Sequence, residues 1–245
     1  MQAKNLPTIA PRYWTAILVA SMAGANTGDF FSHDLRLGHT RGILPLALAF
    51  ALILWAERRA KVASQAYYWL AIIVVRTAAT NLADLATQDF RLGYVVVVIG
   101  LTALLIVILL ADRARGGDKS GQSIAGRNLP ATDGPYWAAM LVAGTLGTAS
   151  GDFTAHHIGL GFGSVVLVAI LIIVLLVALR RGMTPPWYWA SIVAARTAGT
   201  TLGDFVANPH GLDLGLPLST ACTCGLLAGI VLLWRDKSAI AMREA

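Results

Sequence analysis

An aromatic-Trp pair occurs four times in this chain, as Tyr13-Trp14, Tyr68-Trp69, Tyr136-Trp137 and Tyr188-Trp189. Fifteen residues beyond each Trp stands an aspartate: Asp29, Asp84, Asp152 and Asp204. Ten and fourteen residues beyond each Trp the side chain is small: Gly24 and Gly28, Ala79 and Ala83, Gly147 and Gly151, Gly199 and Gly203. A short polar stretch follows each Asp and ends in Leu-Gly, at Gly38, Gly93, Gly161 and Gly215, before a second apolar run. Self-similarity at a fixed period means one supersecondary unit used repeatedly, and it constrains the fold before any residue-level reading.

Each unit reads as two helices. The first helices are expected at about 13–33, 67–88, 135–156 and 187–208, and the second at about 42–56, 93–111, 162–179 and 216–234. Stretches such as "SVVLVAILIIVLLVAL" (164–179) belong to apolar segments of membrane-spanning length, about 20 residues. The chain is 56% hydrophobic and 13% charged, half the charge of an ordinary soluble domain. The expected fold is therefore an all-α membrane protein of eight transmembrane helices. It is built from four parallel two-helix repeats arranged as two pseudo-symmetric halves. The halves are residues 1–115 and 130–245, joined by a cytoplasmic linker at 116–129. Repeats two and four share "RTAATNLAD" and "RTAGTTLGD", whereas one and three share Asp-x-x-x-His, which is the signature of the duplication.

The basic residues set the orientation. Lys4, Arg12, Arg58, Arg59, Lys61, Arg113, Arg115, Lys119, Arg127, Arg180, Arg181, Arg235, Lys237 and Arg243 fall on the side of the termini and inter-repeat loops, against Arg36, Arg41 and Arg91 in the opposite turns. Basic loops stay cytoplasmic, so both termini are expected inside and the aspartates at the outer ends. On this reading the net charge of +6 is topological and does not imply nucleic-acid binding. The four Trp are expected at the cytoplasmic interface. The first apolar segment lacks the features of a removable signal, and Cys222 and Cys224 suggest neither a disulfide nor a metal pair.

Small residues four apart form grooves that let helix backbones approach closely, so the first helices of the repeats are expected inside and the second ones against lipid. Acids at helix C-termini oppose the helix dipole, and four in register ask for a compensating cation or a shared network. His33 and His156 follow Asp29 and Asp152 by four residues, one helical turn, as Gln88 and Asn208 follow Asp84 and Asp204. A ring of Asp29, Asp84, Asp152 and Asp204 with His33 and His156 has the oxygen-rich donor set of manganese or magnesium, with zinc or iron as alternatives. His39, His157 and His210 lack counterparts and are expected as solvated turn residues. Arg76 and Arg196, about 10 Å into the membrane, are expected to meet a carboxylate, backbone carbonyls or a transported anion. Thr80 and Thr200 lie near them.

The repeat resembles a family of bacterial multispanning proteins labelled uncharacterised membrane-anchored proteins. These repeat an aromatic-Trp followed by Arg-x-x-Gly-x-Thr-x-Gly-Asp. The resemblance spans most of the chain and is strongest at Arg76–Asp84 and Arg196–Asp204, although Thr197-Ala198 replaces the family's Pro-Leu. It implies a bacterial inner-membrane location and no activity.

The function expected from the residues is a transporter of a divalent metal cation, manganese first, in which the ion is substrate and no organic cofactor is needed. Asp29, His33, Asp84, Gln88, Asp152, His156, Asp204 and Asn208 would bind it, and Arg76, Arg196, Thr80 and Thr200 would gate it or supply countercharge. The alternatives are a carrier or channel for an anion or polar organic solute on the arginines, or a structural or sensory membrane protein. No nucleophile or general-base signature points to an enzyme. The expected partners are the bilayer, a small inorganic ion and, in a homo-oligomer, further copies of the chain.

Overall fold

In the computed structural model, residues 7–60, 65–115, 123–124, 127–128 and 132–233 are described. The basic residues Lys4, Lys61, Lys119, Arg235, Lys237 and Arg243, and most of the 116–129 linker, lie outside them. The repeats form α1 (Pro11–Asp29), α2 (Gly38–Arg59), α3 (Gln65–Asp84), α4 (Tyr94–Ala114), α5 (Gly134–Ile158), α6 (Leu160–Arg181), α7 (Pro185–Ala207) and α8 (Gly215–Leu232). α1 and α3 each continue into one π-helical turn, Phe30–Asp34 and Leu85–Asp89. A two-residue ladder, β1 (Ser123–Ile124) with β2 (Arg127–Asn128), lies between α4 and α5.

Local chemistry explains the boundaries. Proline at the first turn starts α1, α5 and α7, where its missing N–H costs no helical bond. The Asp133 carboxylate also caps α5 by accepting from the Tyr136 N–H. Arg pairs end α2 and α6, where cations suit the helix dipole. In the turn before each second helix the residue two positions before the Gly of the Leu-Gly pair has positive φ: Arg36, Arg91, Gly159 and Asp213. In repeats one and four that Gly, Gly38 and Gly215, has it too. At the earlier position only the third repeat uses glycine, the residue that adopts this conformation without a Cβ penalty.

Among the described residues five segments are long and apolar enough to cross a membrane: α2, α4, α6, α8 and Gln65–Asp89, which includes α3. The chain is thus an all-helical membrane protein. Composition alone does not single out α1, α5 and α7, because their Gly, Ser and Thr residues lower the hydropathy. Burial separates the two sets: the apolar windows of α2, α4, α6 and α8 are 11–28% buried, whereas that of Gln65–Asp89 is 56% buried. Leu44, Leu48, Leu52, Ile99, Val107, Phe162, Ile173 and Leu226 point outward from the second helices.

The first helices form a closed inner ring, α1 on α3, α3 on α5, α5 on α7 and α7 on α1. The repeat is not a self-packed hairpin. Each second helix packs mainly on the first helix of the next repeat, α2 on α3, α4 on α5 and α6 on α7, and α8 closes the circle on α1. The small-residue grooves make this possible. A Cβ at Gly24 would collide with the Arg76 side chain, at Gly147 with Arg196, and at Gly199 with Ser21, while Gly144 fits tightly against Ala79. In all four interfaces the residue ten beyond the Trp receives the residue seven beyond the next Trp.

Gly147→Ala is therefore expected to destabilise the protein by about 1–3 kcal/mol through overpacking. At Gly100 on the outer surface a Cβ meets nothing, and Gly100→Ala should be neutral or stabilising by up to about 1 kcal/mol. Thermal denaturation of both variants in detergent checks the contrast.

Candidate functional site: an axial column ending in four aspartates

Five layers lie around the axis of the inner ring, each taking one residue from every repeat four positions after the last. An i, i+4 row is inclined about 26° to its helix axis, so helices that present such a row must cross the common axis obliquely.

The first layer is Tyr13, Tyr68, Tyr136 and Tyr188, at most 2% exposed. Their hydroxyls form a closed square: Tyr13 to Tyr68 at 2.8 Å, Tyr68 to Tyr136 at 2.8 Å, Tyr136 to Tyr188 at 2.9 Å and Tyr188 to Tyr13 at 2.7 Å. A hydroxyl both donates and accepts, so four of them close without an orphan. Trp14, Trp69, Trp137 and Trp189 are buried between the inner helices and do not face outward. They are at most 8% exposed, each edge-on to its own repeat's Tyr and packed on the preceding repeat's Tyr.

The second layer, Ile17, Ile72, Met140 and Ile192, is fully buried and apolar. Ser21, Arg76, Gly144 and Arg196 make the third. Both arginines are 0% exposed, and among the described residues neither pairs with a carboxylate. They diverge along the axis. Arg196 turns toward the tyrosines, donating to Ser21 Oγ at 3.5 Å and Met140 Sδ at 3.8 Å. Arg76 turns toward the aspartates and donates to Thr148 Oγ1 at 2.7 Å, Thr80 Oγ1 at 3.2 Å, the Gly144 carbonyl at 3.3 Å and Thr200 Oγ1. Of the expected partners, then, Arg76 has a carbonyl, in an unbroken helix, together with hydroxyls that were not expected to be its main ligands.

The fourth layer is Ala25, Thr80, Thr148 and Thr200, and the fifth is Asp29, Asp84, Asp152 and Asp204. All eight line one cavity of about 560 Å³, together with His33, Gln88, Asn208, Asp34 and Tyr94. The four predicted aspartates, one from each repeat, thus reach one space. The residues one turn further differ. Gln88 donates to Asp84 Oδ1 at 2.9 Å. Asn208 lies past the end of α7 and holds its own turn by accepting from the His210 N–H at 3.0 Å. His33 lines the cavity without bonding Asp29, its ring 5.7 Å from that of His39. The exposed His156 faces Tyr94, with 6.4 Å between centroids, and does not line the cavity. Among the described residues no group of three or more His, Cys, Asp or Glu is placed to hold a metal ion.

His157 and His210 are exposed turn-side residues as expected. His39 is not solvated: it is 8% exposed, and its Nδ1 lies 3.1 Å from Asp89 Oδ1, tying the start of α2 to the π turn after α3. A second cavity, of about 460 Å³, lies among α2, α3 and α5, with walls mainly of apolar residues such as Leu46, Phe50, Trp137 and Leu141. Four carboxylates converge in the cavity at the aspartate end of the axis. The tyrosine square is the part that sequence reasoning missed. Its signal was a Tyr exactly sixteen residues, four steps of four, before every Asp.

Geometry and sequence agree on the class, a helical membrane protein of four repeats around one axis. A family model described as a repeat of unknown function, DUF347, matches residues 12–63, 67–116, 135–183 and 187–237, and the chain belongs to that family. No curated protein and no solved structure matches the chain.

Replacing one tyrosine breaks the square at two bonds and strands a buried hydroxyl. Tyr136→Phe is expected to cost about 1–3 kcal/mol, measurable as loss of thermal stability in detergent.

Proposed function

We propose that this protein is a multi-pass carrier that takes a cation into the aspartate-lined cavity from the outer side of a bacterial inner membrane. All eight helices span the membrane in this reading. The repeats are parallel, the two halves are related by duplication, and both termini are cytoplasmic. The observation that carries the proposal is that Asp29, Asp84, Asp152 and Asp204, one from each repeat, line a single cavity around the axis. Carboxylates at membrane depth are costly unless they serve a pathway or a partner, and among the described residues no arginine neutralises them by direct pairing.

The carboxylates are spread around a roomy space. A divalent ion would therefore keep several waters between itself and the aspartates, as magnesium does and as manganese would at an oxygen-lined site. An organic cation would fill the same space without that shell. Below the cavity the axis is blocked by the aliphatic layer and the tyrosine square. This is the arrangement of a carrier open to one side, with the tyrosine end as the closed gate. The cavity is the outward-facing end because Arg58, Arg59, Arg180 and Arg181 cluster at the tyrosine end.

The test is flux into proteoliposomes loaded with a cation-sensitive dye. Manganese is the first substrate, and an Asp29→Asn/Asp152→Asn variant is compared with the parent. Loss of uptake with an unchanged elution profile and helix content is expected. Equal uptake by both proteins would contradict the proposal.

A further inference from the structure

Behind the threonine floor of the cavity, and not lining it, lies Arg76, opposite in charge to the walls. Arg76 is wholly buried, and among the described residues it has no carboxylate in direct contact and no acceptor for its Nε. Its guanidinium donates to Thr80, Thr148 and Thr200, one from each of three repeats, and those residues line the cavity. A guanidinium offers only donors. Each threonine oxygen therefore accepts from Arg76 and has its own O–H left to place. Thr80 and Thr200 return theirs to the carbonyls of Arg76 and Arg196, at 3.4 Å and 3.1 Å. Thr148 has no acceptor of its own among the described residues. The floor therefore presents a free hydroxyl donor backed by a guanidinium that no carboxylate contacts directly, an arrangement that can receive an oxyanion.

A lone anion would have to pass four carboxylates to reach it. A lone cation engages the walls but leaves the Thr148 hydroxyl without an acceptor. A cargo with both signs resolves each problem. Thr148 and Asp152 are four residues apart on α5, about 6 Å along the helix. Hydrogen bonds at both ends of a short zwitterion span such a distance. The cavity volume of about 560 Å³ also falls in the range of sites for small organic molecules.

We propose that the cargo is a small zwitterion of the α-amino-acid kind. Its ammonium is held by the aspartate ring and its carboxylate by Thr148, with Arg76 behind it. This inference rests on the cation-carrier reading and names the cargo class for the same cavity.

The experiment is a thermal-stability titration of the full-length protein in detergent, since a ligand of the folded state raises its apparent stability. The probes are glycine and alanine as zwitterions, ethylamine as the cation alone, acetate as the anion alone, and manganese. A shift with a zwitterion at concentrations where ethylamine and acetate give none is expected. Thr148→Val should weaken the zwitterion response by about tenfold or more, the loss of one hydrogen bond to a charged group. Thr148→Ser, which restores the hydroxyl, should recover it. A manganese or ethylamine shift, lost in Asp29→Asn/Asp152→Asn, with no zwitterion response would overturn this inference and leave the carrier reading standing. An equal zwitterion response in Thr148→Val would also overturn it. No shift with any probe would count against both.

Discussion

The close seating of each inner helix against the next is the contact on which the rest of the structure depends. A glycine or alanine ten residues past each Trp receives the residue seven past the following Trp, in the pairs Gly24–Arg76, Ala79–Gly144, Gly147–Arg196 and Gly199–Ser21. Lipid supplies no hydrophobic drive between helices, so packing of this closeness is what holds the ring together. It also sets the content of the axis. With four backbones this near, a single side chain per turn from each helix fills the centre. The stems of the two arginines run directly over the glycines that face them.

The column that results is graded along its length. A hydrogen-bonded tyrosine square and an aliphatic layer make one end dry and shut. Two buried arginines occupy the middle, and threonines and aspartates open into a cavity at the other end. The four-fold repetition is broken where chemistry is concentrated. Only repeats two and four supply arginine, only repeats one and two end in π turns, and only Asp84 has a bonded partner one turn beyond it. In the proposed carrier, this asymmetry would favour one orientation of an asymmetric cargo over the others.

Much of this was legible in the sequence. The constant spacing from Trp to Asp fixed eight helices to within a few residues and sent four aspartates to one end. The small residues four apart marked the inner helices. Three features escaped for physical reasons. Packing between non-consecutive helices, such as α8 on α1, leaves no local pattern in sequence. The Trp of each pair reads as interfacial by type, yet the ring of tyrosines beside it has the geometry to bury it. His33 and His156 share helical spacing with their aspartates, but spacing fixes a face and not a contact: His156 turns outward to Tyr94. His39 was unreadable for the same reason, since its partner Asp89 lies fifty residues away.

In the proposed outward-facing carrier, one axial column is open to water at its aspartate end and sealed at its tyrosine end. Single cysteines introduced along α7, at Asn208, Asp204, Ile192 and Tyr188, test it most directly. They would be made in a protein whose Cys222 and Cys224 are replaced by Ser, and exposed to a membrane-impermeant thiol reagent applied from outside intact cells. Rapid labelling at 208 and 204 and none at 192 and 188 is expected. Labelling of 192 as fast as 204, or protection of 204, would contradict it.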